Sequence, residues 1–207
     1  MFWNSHMKNL ISHAALAALV VSGSLCTASL VRAEPGSTVS MNSDTRGRQP
    51  TADEKMMAEK EFVKGAYSVN MLHVKASEYA LSQVDDPQVR QLAEKLIEDH
   101  TMAMEKLSAI AKTKGIELSP ELLPPQKAML EQAMKTKGEM FAFVYLINMT
   151  TLHVGDILKA SHVANDASDP EIKAFAAESL PVLREHYKMI LPMAEAKVKL
   201  QDSLASK

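Results

Sequence analysis

Four histidines recur at matching places in two halves of the chain. His73 and His153 each lie in a Leu-His-Val triplet, and His100 and His186 each follow a proline at a similar interval. Neutral imidazole is a ligand for zinc, copper and iron, with nitrogen–metal distances of about 2.0–2.1 Å. Four such side chains, if the fold brings them together, predict a transition-metal site.

Residues one helical turn from a histidine are the first candidates to join such a site. Asp156 follows His153 by three residues, which places both on one helix face and makes it the best carboxylate candidate. Asn70 and Ser77 flank His73 at helical spacing and are predicted to orient its ring.

Two further groups of side chains are near the histidines in sequence. Acidic residues directly beside a histidine do not share its helix face and are predicted to face the rim or solvent: Glu98, Asp99 and Glu185. Methionines three or four residues from a histidine suit a copper site, because soft sulfur selects Cu(I): Met104, Met149 and Met189. Methionine also fills gaps in helical cores, and the sequence favours that interpretation.

The histidines are predicted to lie on four long helices, one on each. Apolar residues recur three and four apart around every histidine, from about residue 52 to 83, 87 to 114, 139 to 163 and 170 to 196. Asp-Pro pairs start the second and fourth helices, and Gly115 ends the second. Pro181 predicts a kink in the fourth helix. His162 falls outside the apolar stripe and is predicted to be exposed.

The spacing around the histidines predicts two hairpins that dock in one bundle. From His73 to Pro87 is 14 residues and on to His100 is 13, whereas from His153 to Pro170 is 17 and on to His186 is 16. Both arms of the second hairpin are longer by three, about one turn, so each histidine pair stays level. We predict an all-α fold: a ferritin-like four-helix bundle of two hairpins joined by a long crossover with a short helix near residues 125–136.

The N-terminal segment predicts export. Residues 1–33 have a basic start at Lys8, an apolar run and a small-residue end at Ala33, which is typical of a cleaved signal peptide. An uncleaved membrane anchor is the alternative. Polar residues 34–50 predict a disordered linker, 51–200 the bundle and 201–207 a C-terminal tail. The expected location is the periplasm, without stable membrane insertion after cleavage.

Net charge, cysteine content and the motifs of the sequence argue against several functions. Residues 1–33 contain two basic residues, no acidic one and the only cysteine, so the mature chain has a net charge of −4 and no thiol. Nucleic-acid binding, which needs a clustered basic face, is not expected. The sequence has no Gly-rich phosphate loop, nucleophile elbow or His-Glu-x-x-His pair, which favours a role other than enzyme.

The chain resembles the DUF4142 family of exported bacterial proteins. The most specific matches are "EDHT", the third-helix histidine and "LP" before "REH", within segments that cover most of residues 60–196. The resemblance implies a ferritin-like bundle and no assigned function. The family commonly has an acid near His73 and a Phe-Asp pair at Phe141-Ala142. A family site of carboxylates and histidines would therefore be richer in nitrogen here.

Three functions remain open. The first is an exported protein that binds zinc, copper or iron through His73, His100, His153 and His186, for metal buffering or stress protection in the envelope. The second is a metal-free structural or interaction protein, and the third is a redox enzyme. Ferroxidase chemistry is not expected, because the residues three before His100 and His186 are Ile97 and Leu183 rather than glutamates.

Overall fold

A computed structural model describes residues 48–205, so the predicted signal peptide and residues 34–47 of the predicted linker lie outside the described residues. Within this range the chain is helical and contains no strand. The helices, numbered α1 to α5, are Ala52–Gln83, Pro87–Lys114, Pro124–Ala133, Gly138–Asp166 and Pro170–Ala205. The helix α5 thus continues five residues past the predicted end of the bundle.

The four long helices pair as two hairpins, which confirms the predicted all-helical fold. The helix α1 packs most extensively on α2, and α4 on α5. The short helix α3 lies in the crossover and contacts α1 and α4. Smaller contacts between α1 and α4 and between α2 and α5 join the hairpins into a bundle.

Matching caps fix where the second helix of each hairpin begins. Asp86 Oδ1 accepts the backbone N–H groups of Gln88 and Val89 at 3.0 and 3.4 Å, and Pro87 stands in the first turn. Asp169 Oδ1 accepts those of Glu171 and Ile172 at 3.0 and 3.1 Å. Such caps satisfy backbone donors that the helix leaves free, so the Asp-Pro pairs set the register of His100 and His186.

The buried histidines separate two apolar clusters along the bundle. One cluster includes Ala76, Leu92, Tyr145 and Ile190. The other includes Val63, Leu107, Ile110 and Phe175. On α1, α2 and α5 the histidine lies between members of the two clusters, so a polar layer crosses the core near mid-height.

The helix α5 differs in detail from the prediction. It is continuous through Pro181 and Pro192, and the kink at Pro181 stays a prediction. The spacing of apolar residues around His186 puts Val182, four residues before it, in the buried stripe, but Val182 is 38% exposed and Leu183 is buried instead. The expected buried position was therefore wrong by one residue. The residues three and four before His186 both lie near the helix face that carries this histidine, and the packing of the neighbouring helices determines which of the two is buried.

The helix α4 is long and apolar enough to cross a membrane by length and composition. Core helices of soluble proteins pass the same test, and α4 buries Phe141, Tyr145, Leu146 and His153 in the bundle. The absence of stable membrane insertion therefore stays a prediction.

Candidate metal centre

The predicted histidine cluster is present in the bundle core. His73, His153 and His186 are fully buried and His100 is 3% exposed. Ring centroids of five of the pairs lie between 4.0 and 5.5 Å apart, and His73 stacks on His100 at an interplanar angle of 16°. Side chains separated by more than 100 residues in sequence thus meet in one layer.

Three ring nitrogens, one from each of His73, His100 and His153, lie within 4.8 Å of one another. This spacing suits three ligands of one ion. His186 joins through His153, because its Nδ1 is 3.3 Å from His153 Nε2. Two nitrogens bound at about 2.0–2.1 Å to one tetrahedral ion lie about 3.3 Å apart. The His153–His186 separation therefore equals one edge of a tetrahedral site.

Backbone and amide oxygens fix the outer nitrogens of two of the rings. His153 Nδ1 lies 2.8 Å from the carbonyl oxygen of Met149, which only accepts, so Nδ1 carries the proton. His100 Nδ1 donates to Asn70 Oδ1 at 2.7 Å, since the amide nitrogen of Asn70 already donates to the Ala66 carbonyl. In the neutral state, Nε2 of both His100 and His153 is an unprotonated acceptor.

Carboxylates fix the outer nitrogens of the other two rings. His73 Nε2 donates to Asp156 Oδ2 at 3.0 Å, and His186 Nε2 donates to Asp99 Oδ2 at 2.6 Å. When the rings are neutral, Nδ1 of each then presents a lone pair. Metal-binding histidines in proteins almost always donate their second N–H to such an outer partner.

The four remaining ring nitrogens have little to bond with except one another. His100 Nε2 is buried and has no hydrogen-bond partner among the described residues. His73 Nδ1 lies 3.3 Å from Met149 Sδ, and sulfur is also an acceptor. His153 Nε2 and His186 Nδ1 face each other as two lone pairs. A cation in the layer, either a metal ion or an added proton, would satisfy this arrangement.

Burial favours the neutral, metal-binding form of three of the rings. Removal from water lowers the pKa of His100 and His153 well below 6.5, with the neighbouring histidines adding to the effect. Burial also lowers the pKa of His186, against the opposing effect of Asp99. Burial raises the pKa of Asp99, but hydrogen bonds from His186 and Lys95 outweigh it and leave this pKa below its ordinary value. The outer carboxylate is therefore ionised at neutral pH.

Several sequence predictions about the neighbours need correction. Asp99 was expected at the rim, but its side chain is only 14% exposed and bonds His186. Asn70 and Ser77 were expected to orient His73, whereas Asn70 bonds His100 and Ser77 bonds Tyr145 at 2.8 Å. Each of these side chains bonds a residue of another helix rather than the histidine on its own helix.

Other predictions agree with the structure. Asp156 lies at the cluster, although its partner is His73 of α1 rather than His153, and its role as a metal ligand stays a prediction. Glu98 and Glu185 are exposed. The side chain of His162 is 76% exposed and pairs with Asp166 at 2.8 Å. His162 therefore provides a natural control for experiments on the buried four.

Comparison with known proteins places the chain in a family. The family model described as "Domain of unknown function (DUF4142)" matches residues 45–193. The chain belongs to the DUF4142 family. The match includes all four buried histidines and the crossover of this DUF4142 protein, and it ends within α5. No curated protein and no solved structure matches the chain.

Asp99→Asn tests whether the outer partners tune this centre. Asparagine can still accept the N–H of His186 but lacks the negative charge that makes the ring a better ligand. We expect zinc affinity to fall by about 10- to 100-fold with the fold unchanged. A competition titration against a chromophoric chelator measures the effect. Glu98→Gln, which removes the exposed neighbouring charge, is the control, and equal losses in both variants would contradict an outer-partner role.

Proposed function

We propose that this DUF4142 protein is an exported, periplasmic helical bundle that binds one transition-metal ion through His73, His100, His153 and His186, and that it serves in metal buffering or protection of the cell envelope. The observation that carries the proposal is the tautomer pattern. Each ring has one nitrogen held by an outer acceptor, and the other is left as a buried lone pair within the layer.

The donor set favours zinc or copper over a carboxylate-rich iron site. The candidate ligands are imidazole nitrogens, and the 3.3 Å edge between His153 and His186 suits tetrahedral geometry. Asp99 and Asp156 already accept ring N–H groups, which suits the outer positions. Met149 Sδ, at 3.3 Å from His73 Nδ1, offers a soft donor that favours Cu(I).

Titration of the purified mature protein tests the proposal. After chelator treatment and dialysis, the protein is expected to bind one equivalent of zinc or Cu(I), as measured by chelator competition and by elemental analysis of the isolated complex. A variant with all four buried histidines changed to glutamine is expected to bind none. His162→Gln is the control for surface binding and should behave as the unmodified protein. Equal binding by the fourfold variant would contradict the proposal.

A metal-free structural bundle is the second candidate, and one contact favours it. If His186 carries an added proton beside Asp99, its Nδ1 can donate to His153 Nε2 at the observed 3.3 Å without any metal. This candidate predicts that chelation and metal addition leave the melting temperature unchanged. A bound ion instead stabilises the folded state by about 4 kcal/mol at a thousandfold excess over Kd, so thermal unfolding with and without metal separates the two.

A further inference from the structure

We propose that the bundle also holds an elongated apolar molecule with a neutral hydroxyl group at one end, in a cavity between the two hairpins that ends at the histidine layer. This inference goes beyond metal binding and does not require it. It depends on the size of the cavity, on its apolar walls and on the acceptor groups at its floor.

The cavity has a volume of about 780 Å³ and is lined by all four long helices. This volume lies within the range typical of small-molecule sites. Small residues on three helices explain why the hairpins leave space there: Gly65, Ala66, Ala103 and Ala160. A Cβ atom added to Gly65 would meet no atom of the described residues within 4 Å.

The walls of the cavity are largely apolar and partly aromatic. Phe62 of α1 and Phe175 of α5 both line it and make an edge-to-face pair with each other, with centroids 6.5 Å apart. Val69 and Leu183 continue the apolar lining towards the histidines. Such walls favour a hydrocarbon chain or ring, because its transfer from water contributes about 25 cal/mol for each Å² buried.

The floor of the cavity presents hydrogen-bond acceptors. Asp99, Asp156, His100 and His186 line it. The carboxylates are acceptors, and Asp156 and Asp99 each accept a ring N–H through Oδ2. Asn70, also in the lining, already donates its amide N–H to Ala66. A hydroxyl group can donate to such a floor. A carboxylate there would lie beside two like charges, of which Asp99 is paired with Lys95 at 3.0 Å.

The rim gives a ligand access from solvent. Exposed residues surround the opening, among them Lys106, Lys159, Glu178 and Val182. Lys106 and Glu178 pair with each other at 3.2 Å, so the rim carries both signs of charge. It therefore gives no strong preference for an anionic ligand, and the floor determines the selectivity.

Binding of the neutral dye Nile red to chelator-treated protein tests whether the cavity takes apolar molecules. We expect saturable binding by the unmodified protein and at least about tenfold weaker binding by Gly65→Leu, whose side chain would enter the cavity. Gly155→Leu is the matched control. Gly155 is also helical with no described atom near an added Cβ, but it does not line the cavity. Leucine favours a helix over glycine, so both variants should fold.

Competition with matched amphiphiles tests the chemical class. Decanol is expected to displace the dye at a concentration at least about tenfold lower than decanoate does. Absence of dye binding, or equal binding by Gly65→Leu and the unmodified protein, would overturn the cavity as a site. Displacement by decanoate as readily as by decanol would overturn the hydroxyl class. Because metal is absent throughout, each of these results is independent of the metal proposal.

Discussion

Replacing His153 with leucine is expected to lower the zinc affinity of the protein by at least about 100-fold, more than the loss typical of an outer partner. His153 lies beside all three other rings, with centroid distances of 4.6, 5.5 and 5.3 Å to His73, His100 and His186. Its Nε2 also forms the short edge with His186 Nδ1. Removing it therefore takes a ligand from the centre of the layer. Chelator competition gives the two dissociation constants.

The design of this variant separates lost coordination from lost folding. Leucine is close to histidine in size and apolar, so the buried site should stay filled and the helical circular dichroism unchanged. His162→Leu is the control, since that ring is exposed and pairs with Asp166 on its own helix. An affinity for zinc that stays within a factor of about three in folded His153→Leu would exclude this ring as a ligand.

Acid is expected to destabilise the chelator-treated protein steeply. The pKa values of His100, His153 and His186 are lowered in the folded state, with burial the largest cause in each. Below the unfolded value of about 6.5 the unfolded chain therefore binds protons that the folded chain does not, and stability falls with falling pH. Each such histidine contributes up to about 1.4 kcal/mol for each pH unit. Denaturant unfolding between about pH 7 and 5 measures the slope, above the range where carboxylates dominate.

Variants identify the source of this slope. His100→Leu removes one of the two rings whose pKa is lowered most clearly, and it is expected to reduce the pH dependence of the free energy of unfolding by about 1.4 kcal/mol per pH unit. His162→Leu should leave the slope unchanged. A pH-independent free energy of unfolding in this range would show that the folded layer accepts protons as readily as the unfolded chain. That result would remove the basis for a neutral imidazole cluster.

The histidine layer could be predicted because periodicity reports which face of a helix is buried. His73, His100, His153 and His186 each fall in an apolar stripe, and only one side of each helix can face the core of a bundle. The equal lengthening of both arms of the second hairpin then kept the rings level. The first residues of α2 and α5, Pro87 and Pro170, could also be predicted, because an aspartate cap followed by proline is a local sequence signal for a helix start.

The outer partners could not be predicted because they depend on how helices rotate and dock. Asp99 is adjacent to His100 and so lies on the flank of α2, where it meets His186 of α5. Asn70 likewise bonds across α1 and α2, to His100 rather than to His73. Sequence spacing relates residues on one helix, whereas these contacts join two. A rule that searches the flanks of the stripe for acids and amides would have found both.

The cavity also could not be predicted from the periodic pattern of apolar residues. Its small lining residues, such as Ala66 and Ala103, count as apolar in any periodic analysis and look like core. Whether they leave space depends on the separation of the hairpins. The role of the methionines near the histidines was ambiguous for a related reason. Met149 contacts His73, while Met189 packs against the apolar cluster that includes Leu92 and Ile190.

X-ray absorption spectroscopy of the zinc-loaded mature protein tests the central claim most directly, because it reports the atoms around the ion. Coordination by the buried layer predicts three or four nitrogen neighbours at about 2.0–2.1 Å, with the outer-shell scattering of imidazole rings. Loss of that imidazole scattering in His153→Leu would assign it to the layer. A first shell of oxygens alone, or an imidazole signal that persists in the variant with all four buried histidines replaced, would contradict the account.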